Sequence, residues 1–146
     1  MLANVCKFVP SNTAVDVIHT TNFVTEAQIP PYTGLRQFSV YRVHYVMEGT
    51  GILHTAQRDF PLSEGDVFFT FPAFAHGVES TGDLKYMFVS FIGARGNTLM
   101  EQYRIRKTQP VYPGYPEAKA IWDHFFAISN TANLDIISES VLLYTL

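Results

Sequence analysis

The sequence predicts a mainly β chain, a small antiparallel sandwich or barrel followed by two helices. Three observations carry that expectation. Short runs rich in Val, Ile, Phe, Tyr and Thr recur from Val5 to about Ile92, separated by turn residues. No helical crossover lies between them, so the sheet has no means of becoming parallel. After Pro113 the apolar period lengthens from two residues to three or four. With 146 residues, 47% of them hydrophobic and 14% aromatic, the chain can bury one real core of pleated surfaces.

The expected strands are Val15–Ile18, Phe38–Met47, Gly51–Thr55, Val67–Phe71 and Tyr86–Ile92. Between them stand Pro30-Pro31, Glu48-Gly49-Thr50-Gly51, Gln57-Arg58-Asp59, Ser63-Glu64-Gly65-Asp66 and Thr81-Gly82-Asp83. Gly49 and Gly51 are expected to turn one strand tightly into its hairpin partner, and Gly65-Asp66 to do the same before the next. Pro72 ends that next strand because it cannot donate to a ladder.

In the tail, Pro116 and Glu117 suit a helix's first turn, and Ala118, Ile121, Trp122 and Phe125 then form one apolar face. Asn133 caps a second helix, in which Leu134, Ile137, Val141 and Tyr144 make a narrow stripe. The stripe either covers the barrel or forms a homodimer seam. The additional Leu142, Leu143 and Leu146 favour the seam, since a helix apolar around most of its girth needs two partners.

Charge excludes some functions. Charged residues are 16% of the chain and the net charge is −3, with no basic stripe for nucleic acid. Arg104, Arg106 and Lys107 read as a solvated strand end or loop. The single cysteine, Cys6, rules out an internal disulfide, and nothing beside it would activate a thiol. The N-terminus has no secretory pattern, and no apolar run approaches the ~20 residues that span a bilayer. A cytoplasmic protein is expected, with no membrane partner.

The stretch Tyr45-Val46-Met47-Glu48-Gly49-Thr50-Gly51, then Leu62-Ser63-Glu64-Gly65-Asp66-Val67 with Pro72 and His76 after it, resembles the cupin barrel. More narrowly it resembles the N-terminal cupin-like effector-binding and dimerisation domain of AraC-type transcriptional regulators. Phe88-Val89-Ser90-Phe91-Ile92-Gly93 is similar to that family's aromatic strand, and the helices follow in its order. The resemblance implies a cupin-like antiparallel β-barrel of jelly-roll type followed by two C-terminal α-helices. Residues 1–14 would form the N-terminal arm, 15–112 the barrel and 113–146 a helical dimerisation segment. It also implies a helix-turn-helix DNA-binding domain after these helices, absent from the 146 residues, so DNA would be a partner only through that domain.

Metal-binding cupins carry a His-x-His pair and a Glu at the first motif and a His after the second. The matching positions here are Leu35, Gln37, Arg42 and His76. One imidazole does not hold a divalent ion, and an arginine repels it, so no metal, cofactor or metal-dependent catalysis is expected. Arg42, His44 and Val46 share one strand face, and Tyr86, Phe88 and Ser90 another. The resemblance points the first of these into the barrel. Arg42, His44, His76, Tyr86 and Phe88 are therefore the expected ligand-binding residues, for a sugar or small acid, with donors from Arg42 and stacking from Phe88. Each histidine or aromatic could instead be plain core. His19 and His54 read as surface strand residues, and His124 as solvent-facing. A metal-free sugar isomerase or epimerase using His44 or His76 as general base is the rival, weakened by the absence of a nearby carboxylate to orient either ring. A stand-alone small-molecule-binding cupin is the other.

Overall fold

The computed structural model describes residues 18–130 and 133–146. The expected arm, Cys6 and most of the strand at Val15–Ile18 lie outside them; Ile18 is buried just before the first described strand. Among the described residues six strands run β1 (His19–Glu26), β2 (Tyr41–Thr55), β3 (Asp59–Ser63), β4 (Val67–Thr70), β5 (His76–Ile92) and β6 (Val111–Tyr112). Three helices among the described residues accompany them: α1 (Ala94–Gln102), α2 (Ala118–Ile128) and α3 (Leu134–Thr145). All strand pairs are antiparallel, in the order β1-β5-β2-β4-β6, with β3 paired to β2.

The long strands β2 and β5 pair along almost their whole length, Tyr41 with Phe91 at one end and Thr55 with His76 at the other. The register shifts between Val46 and Gly51, where both strands bend. This corrects two expected turns. Glu48–Gly51 and Thr81–Asp83 are not hairpin loops but facing irregularities in the middle of two continuous strands. Gly49 has φ +82°, and a Cβ there would collide with the carbonyl oxygens of Gly82 and Asp83. The glycine is required by close backbone approach rather than by chain reversal. Gly65, at φ +88°, does sit in a turn, closed by Asp66, whose carboxylate accepts from the Ser63 amide at 2.8 Å.

The central strands are buried on both faces, which explains runs such as Val43-His44-Tyr45-Val46-Met47 that alternate weakly. One face carries Val43, Tyr45, Met47, Phe69, Val89 and Phe91 toward the helices. The opposite face carries Val46, Leu53, Leu62, Phe68, Tyr86 and Phe88 into the barrel. Burying each such side chain contributes roughly 1.5–3 kcal/mol. On the helical side, Trp122 is fully buried with its ring 5.9 Å from Tyr45 and edge-on to Phe23 at 5.8 Å. Asn133 caps α3 as expected, accepting from the Asp135 and Ile136 amides.

Two expectations need correction. Helix α1 occupies a segment expected to be loop; Leu99 and Met100 anchor it, and Gly96 lets it approach Phe91 and Tyr41. The stripe expected to form a dimer seam also faces inward. Ile137 is 2% exposed and Val141 fully buried, both in the chain's own core, with Leu134 packed against it. Thr20 further ties β1 to α3, its amide donating to Asp135 at 2.6 Å. Of the four, only Tyr144 is open, at 66%, and the other exposed apolar residues of α3 are Ile136 and Leu143.

Candidate functional site

The cross-strand register assembles the site. Arg42 stands opposite Ser90, His44 opposite Phe88 and Val46 opposite Tyr86, all on the inward face. On the other side of β2, His44 pairs with Phe68 of β4. His76 opens β5, and a short antiparallel bridge ties it to Arg36, with reciprocal amide–carbonyl bonds of 2.8 and 2.9 Å. That bridge holds the segment from Ile29 to Phe38 across the mouth as a strap. Beneath it lies a cavity of about 340 Å³, lined by Arg42, His44, His76 and Tyr86 together with Glu26 and strap residues.

Four of the five expected ligand residues thus line one cavity. Phe88 is placed differently: it lies behind the wall, and the Arg42 guanidinium carbon sits 4.7 Å over its ring. The same guanidinium carbon lies 4.5 Å over the ring of Phe38 in the strap. Arg42 Nε donates to Ser90 Oγ at 2.9 Å. Ser90, 1% exposed, therefore positions the arginine rather than meeting a ligand. Burial lowers the Arg42 pKa somewhat, while Tyr86 and Glu26 oppose that, and the group remains a cation.

Both histidines are held by main-chain carbonyls. His44 Nδ1 lies 3.1 Å from the Phe68 oxygen and His76 Nδ1 lies 2.8 Å from the Phe74 oxygen. The His44 ring also stacks on Phe68, centroids 4.0 Å apart and planes 8° apart. Burial, reinforced by Arg42 and His76, holds the His44 pKa well below its ordinary value despite the bond to Phe68. Burial and Arg42 lower His76 in the same sense. Burial above all raises the Tyr86 phenol, with Glu26 adding to it. At neutral pH the cavity presents neutral imidazoles beside a charged guanidinium.

The positions that would hold a cupin metal do not fit one. Leu35 and Gln37 are exposed and absent from the cavity wall, Arg42 brings positive charge, and among the described residues no three His, Cys, Asp or Glu side chains cluster for an ion. A second cavity of about 320 Å³ lies outside the barrel near Tyr41, Asn97 and Glu101, without a comparable buried charge. His54, expected to be a plain surface residue, is clamped: Nδ1 is 2.8 Å from Asp59, Nε2 2.8 Å from Glu79, and its ring stacks on Tyr32 of the strap. Burial lowers its pKa, but the two carboxylates outweigh that and the net shift is upward. The hairpin pairing of His54 with Asp59 was the one available sequence signal for this contact.

Residues 29–146 match the family model described as the AraC-like ligand binding domain. The chain belongs to that family. Its cavity is the interior of an AraC-like ligand binding domain, with the wall built from β2 and β5. The oxalate-binding protein of Thermotoga maritima is 33% identical over 52 residues, covering 36% of this chain and 43% of that protein. The chain thus spans less than half the length of that curated relative. A structure described as a predicted oxalate decarboxylase from Thermotoga maritima aligns at 24% identity and TM-score 0.45, over 58% of this chain and 75% of that one. ToxT from Vibrio cholerae aligns at 10% identity and TM-score 0.47, over 74% of this chain and 46% of that one. At such scores neither bears on function, and the fold rests on the strand pairing itself. Among the described residues no helix is long and apolar enough to cross a membrane.

Proposed function

We propose that this domain is the effector-sensing and dimerisation part of an AraC-family DNA-binding transcriptional regulator of the cytoplasm, binding a sugar or small acid in its barrel. The observation that carries the reading is Arg42: a half-buried guanidinium on a cavity wall, lying over the rings of Phe38 and Phe88 and, among the described residues, with no ion-paired carboxylate. A half-buried cation whose favourable carboxylate, Glu26, is not in ion-pair contact gains stability from a ligand that supplies an anion. The local likeness to a protein named for binding oxalate favours an acid.

The role is binding and not turnover. Both imidazoles are oriented by backbone carbonyls, and among the described residues no carboxylate is bonded to either to drive general-base chemistry. An effector in the cavity touches the strap, so it can favour one arrangement of strap and neighbouring segments over another, which is the requirement for a switch. Dimerisation is assigned to the outward side of α3, through Ile136, Leu143 and Tyr144, by two-fold self-pairing. DNA contact belongs to a helix-turn-helix domain joined to this one. A thermal-shift screen of sugars and small acids tests the effector role. A stabilising compound is expected whose effect disappears in Arg42→Ala; a stabilising compound indifferent to that substitution places the effector elsewhere.

A further inference from the structure

The hydrogen bonds around the cavity restrict what it accepts more narrowly than its shape does. A backbone carbonyl only accepts, so the contacts of His44 and His76 place a proton on each Nδ1. In the neutral ring the remaining nitrogen, Nε2, then carries a lone pair and no hydrogen. His44 Nε2 has no partner among the described residues, yet no buried side-chain nitrogen or oxygen there is left unpaired. It must therefore open to the cavity that His44 lines. His76 reaches the same cavity with its Nε2 also unbonded. Two acceptors on the wall call for hydrogen-bond donors on the occupant.

Arg42 sets the second requirement. Its carbon lies over the Phe38 and Phe88 rings and Ser90 takes Nε, which leaves the edge formed by the two terminal nitrogens. That edge matches a planar carboxylate held by two parallel bonds. The charge of the wall agrees: Arg36 and Arg42 against Glu26, two positive and one negative, leave it net positive by one. A positive wall disfavours an ammonium as the donor and favours a hydroxyl.

We infer that the cavity binds a small hydroxycarboxylate, with its carboxylate on the terminal edge of Arg42 and hydroxyl hydrogens directed at Nε2 of His44 and His76. This rests on reading the barrel interior as the effector site. It narrows that reading from sugars and small acids to molecules carrying both groups, such as sugar acids and hydroxydiacids. The volume of about 340 Å³ is near the lower end of metabolite pockets, roughly 300–1,000 Å³, and suits this size class.

Calorimetric titration of the whole chain with matched probes is the test. D-gluconate is compared with D-glucitol, which lacks the carboxylate. Each enantiomer of malate is compared with succinate, which lacks the hydroxyl, and with L-aspartate, which replaces it by an ammonium. A hydroxy acid should bind about tenfold or more tighter than its matched controls, because a site built for a donor rejects the analogue lacking it. Arg42→Gln should erase that preference. Glucitol, succinate or aspartate binding as tightly as the hydroxy acid overturns the assignment while leaving the barrel as an effector site. So does a wider effector screen that succeeds where the hydroxy acids fail. If that screen is blank as well, the effector reading falls with it. Nitrogen NMR of histidine-labelled chain provides a ligand-free readout: His44 and His76 should both appear as Nδ1-protonated tautomers, and an Nε2-protonated ring at either position overturns the inference.

Discussion

Arg42 and the three histidines of β2 and β5 show how far a residue's chemistry depends on its immediate partners. His44 and His54 lie on the same strand, yet their titrations shift in opposite directions. His44 faces Phe68, Tyr86, Phe88 and the Arg42 cation, so its charged form is penalised. His54 faces Asp59, Glu79 and the Tyr32 ring, so its charged form is favoured. The linkage signs follow. A histidine whose folded pKa is lowered stabilises the fold above its unfolded pKa, and that contribution is lost as pH falls below it. A histidine whose folded pKa is raised stabilises below its unfolded pKa and loses the contribution as pH rises through the folded value. Urea denaturation should therefore show stability falling between about pH 7 and about pH 5, by at most ~1.4 kcal/mol per pH unit for each of His44 and His76. His44→Phe, which keeps the stack on Phe68, should flatten that slope. His54→Gln should be more destabilising near pH 5.5 than near pH 9, roughly spanning the window in which the imidazolium is lost. An equal cost at both pH values would show that the two carboxylates do not hold it charged.

At the scale of elements, the paired bend in β2 and β5 sets the cavity's geometry. The bend lets one pair of strands contribute Arg42 and His44 near one end, and Leu53 and His76 near the other. Its tightest point is Gly49, packed against the Gly82–Asp83 backbone with Asp83 itself at φ 50°. Gly49→Ala should cost about 2–4 kcal/mol, combining a left-handed backbone with a clash against main chain that cannot rotate away. Thermal denaturation measures this, and a neutral substitution would show that the bend is pliable. Gly65→Ala, at a similar φ but with open space around the added carbon, should cost less, about 1 kcal/mol. The comparison separates crowding from conformational strain.

Across the whole molecule, the sheet has helices on one face and a cavity within the other, and α3 is shared between the chain's own core and the surface. The side of α3 that carries Ile137, Val141 and Leu142 is used internally. Ile136 and Leu143, 67% and 50% exposed, lie seven residues apart on the outward side, with Tyr144 beside them. Ile136→Asp combined with Leu143→Asp should split a dimer while leaving melting temperature within a few degrees, since surface changes usually stay within about 0.5 kcal/mol. Val141→Asp should instead unfold the chain, because a carboxylate would enter the apolar core unpaired. Light scattering alongside circular dichroism distinguishes the two results. A double variant that remains dimeric would place the subunit contact elsewhere.

The strand-rich body, the Ser63–Asp66 turn, the Asn133 cap and the family motifs were legible because each depends on neighbours a few residues apart, where backbone sterics and local hydrogen bonds dominate. The inward placement of Arg42, His44 and His76 followed from two-residue alternation together with the cupin resemblance. Tertiary structure alone decided the remainder. That Glu48–Gly51 bends a strand instead of ending it depends on Gly82–Asp83 lying opposite, over thirty positions away in sequence. Helix α1 exists because Leu99 and Met100 find the sheet, against a local sequence containing Gly96 and Asn97 that disfavours helix. Which stripe of α3 is internal could not be read from a helix apolar on more than one side, because periodicity gives the width of an apolar face and not its partner. Phe88 stacks on Arg42, and His54 sits between two carboxylates, through contacts made by side chains brought together across strands. Chain-local rules state what each residue can offer, and only packing determines which offer is taken up.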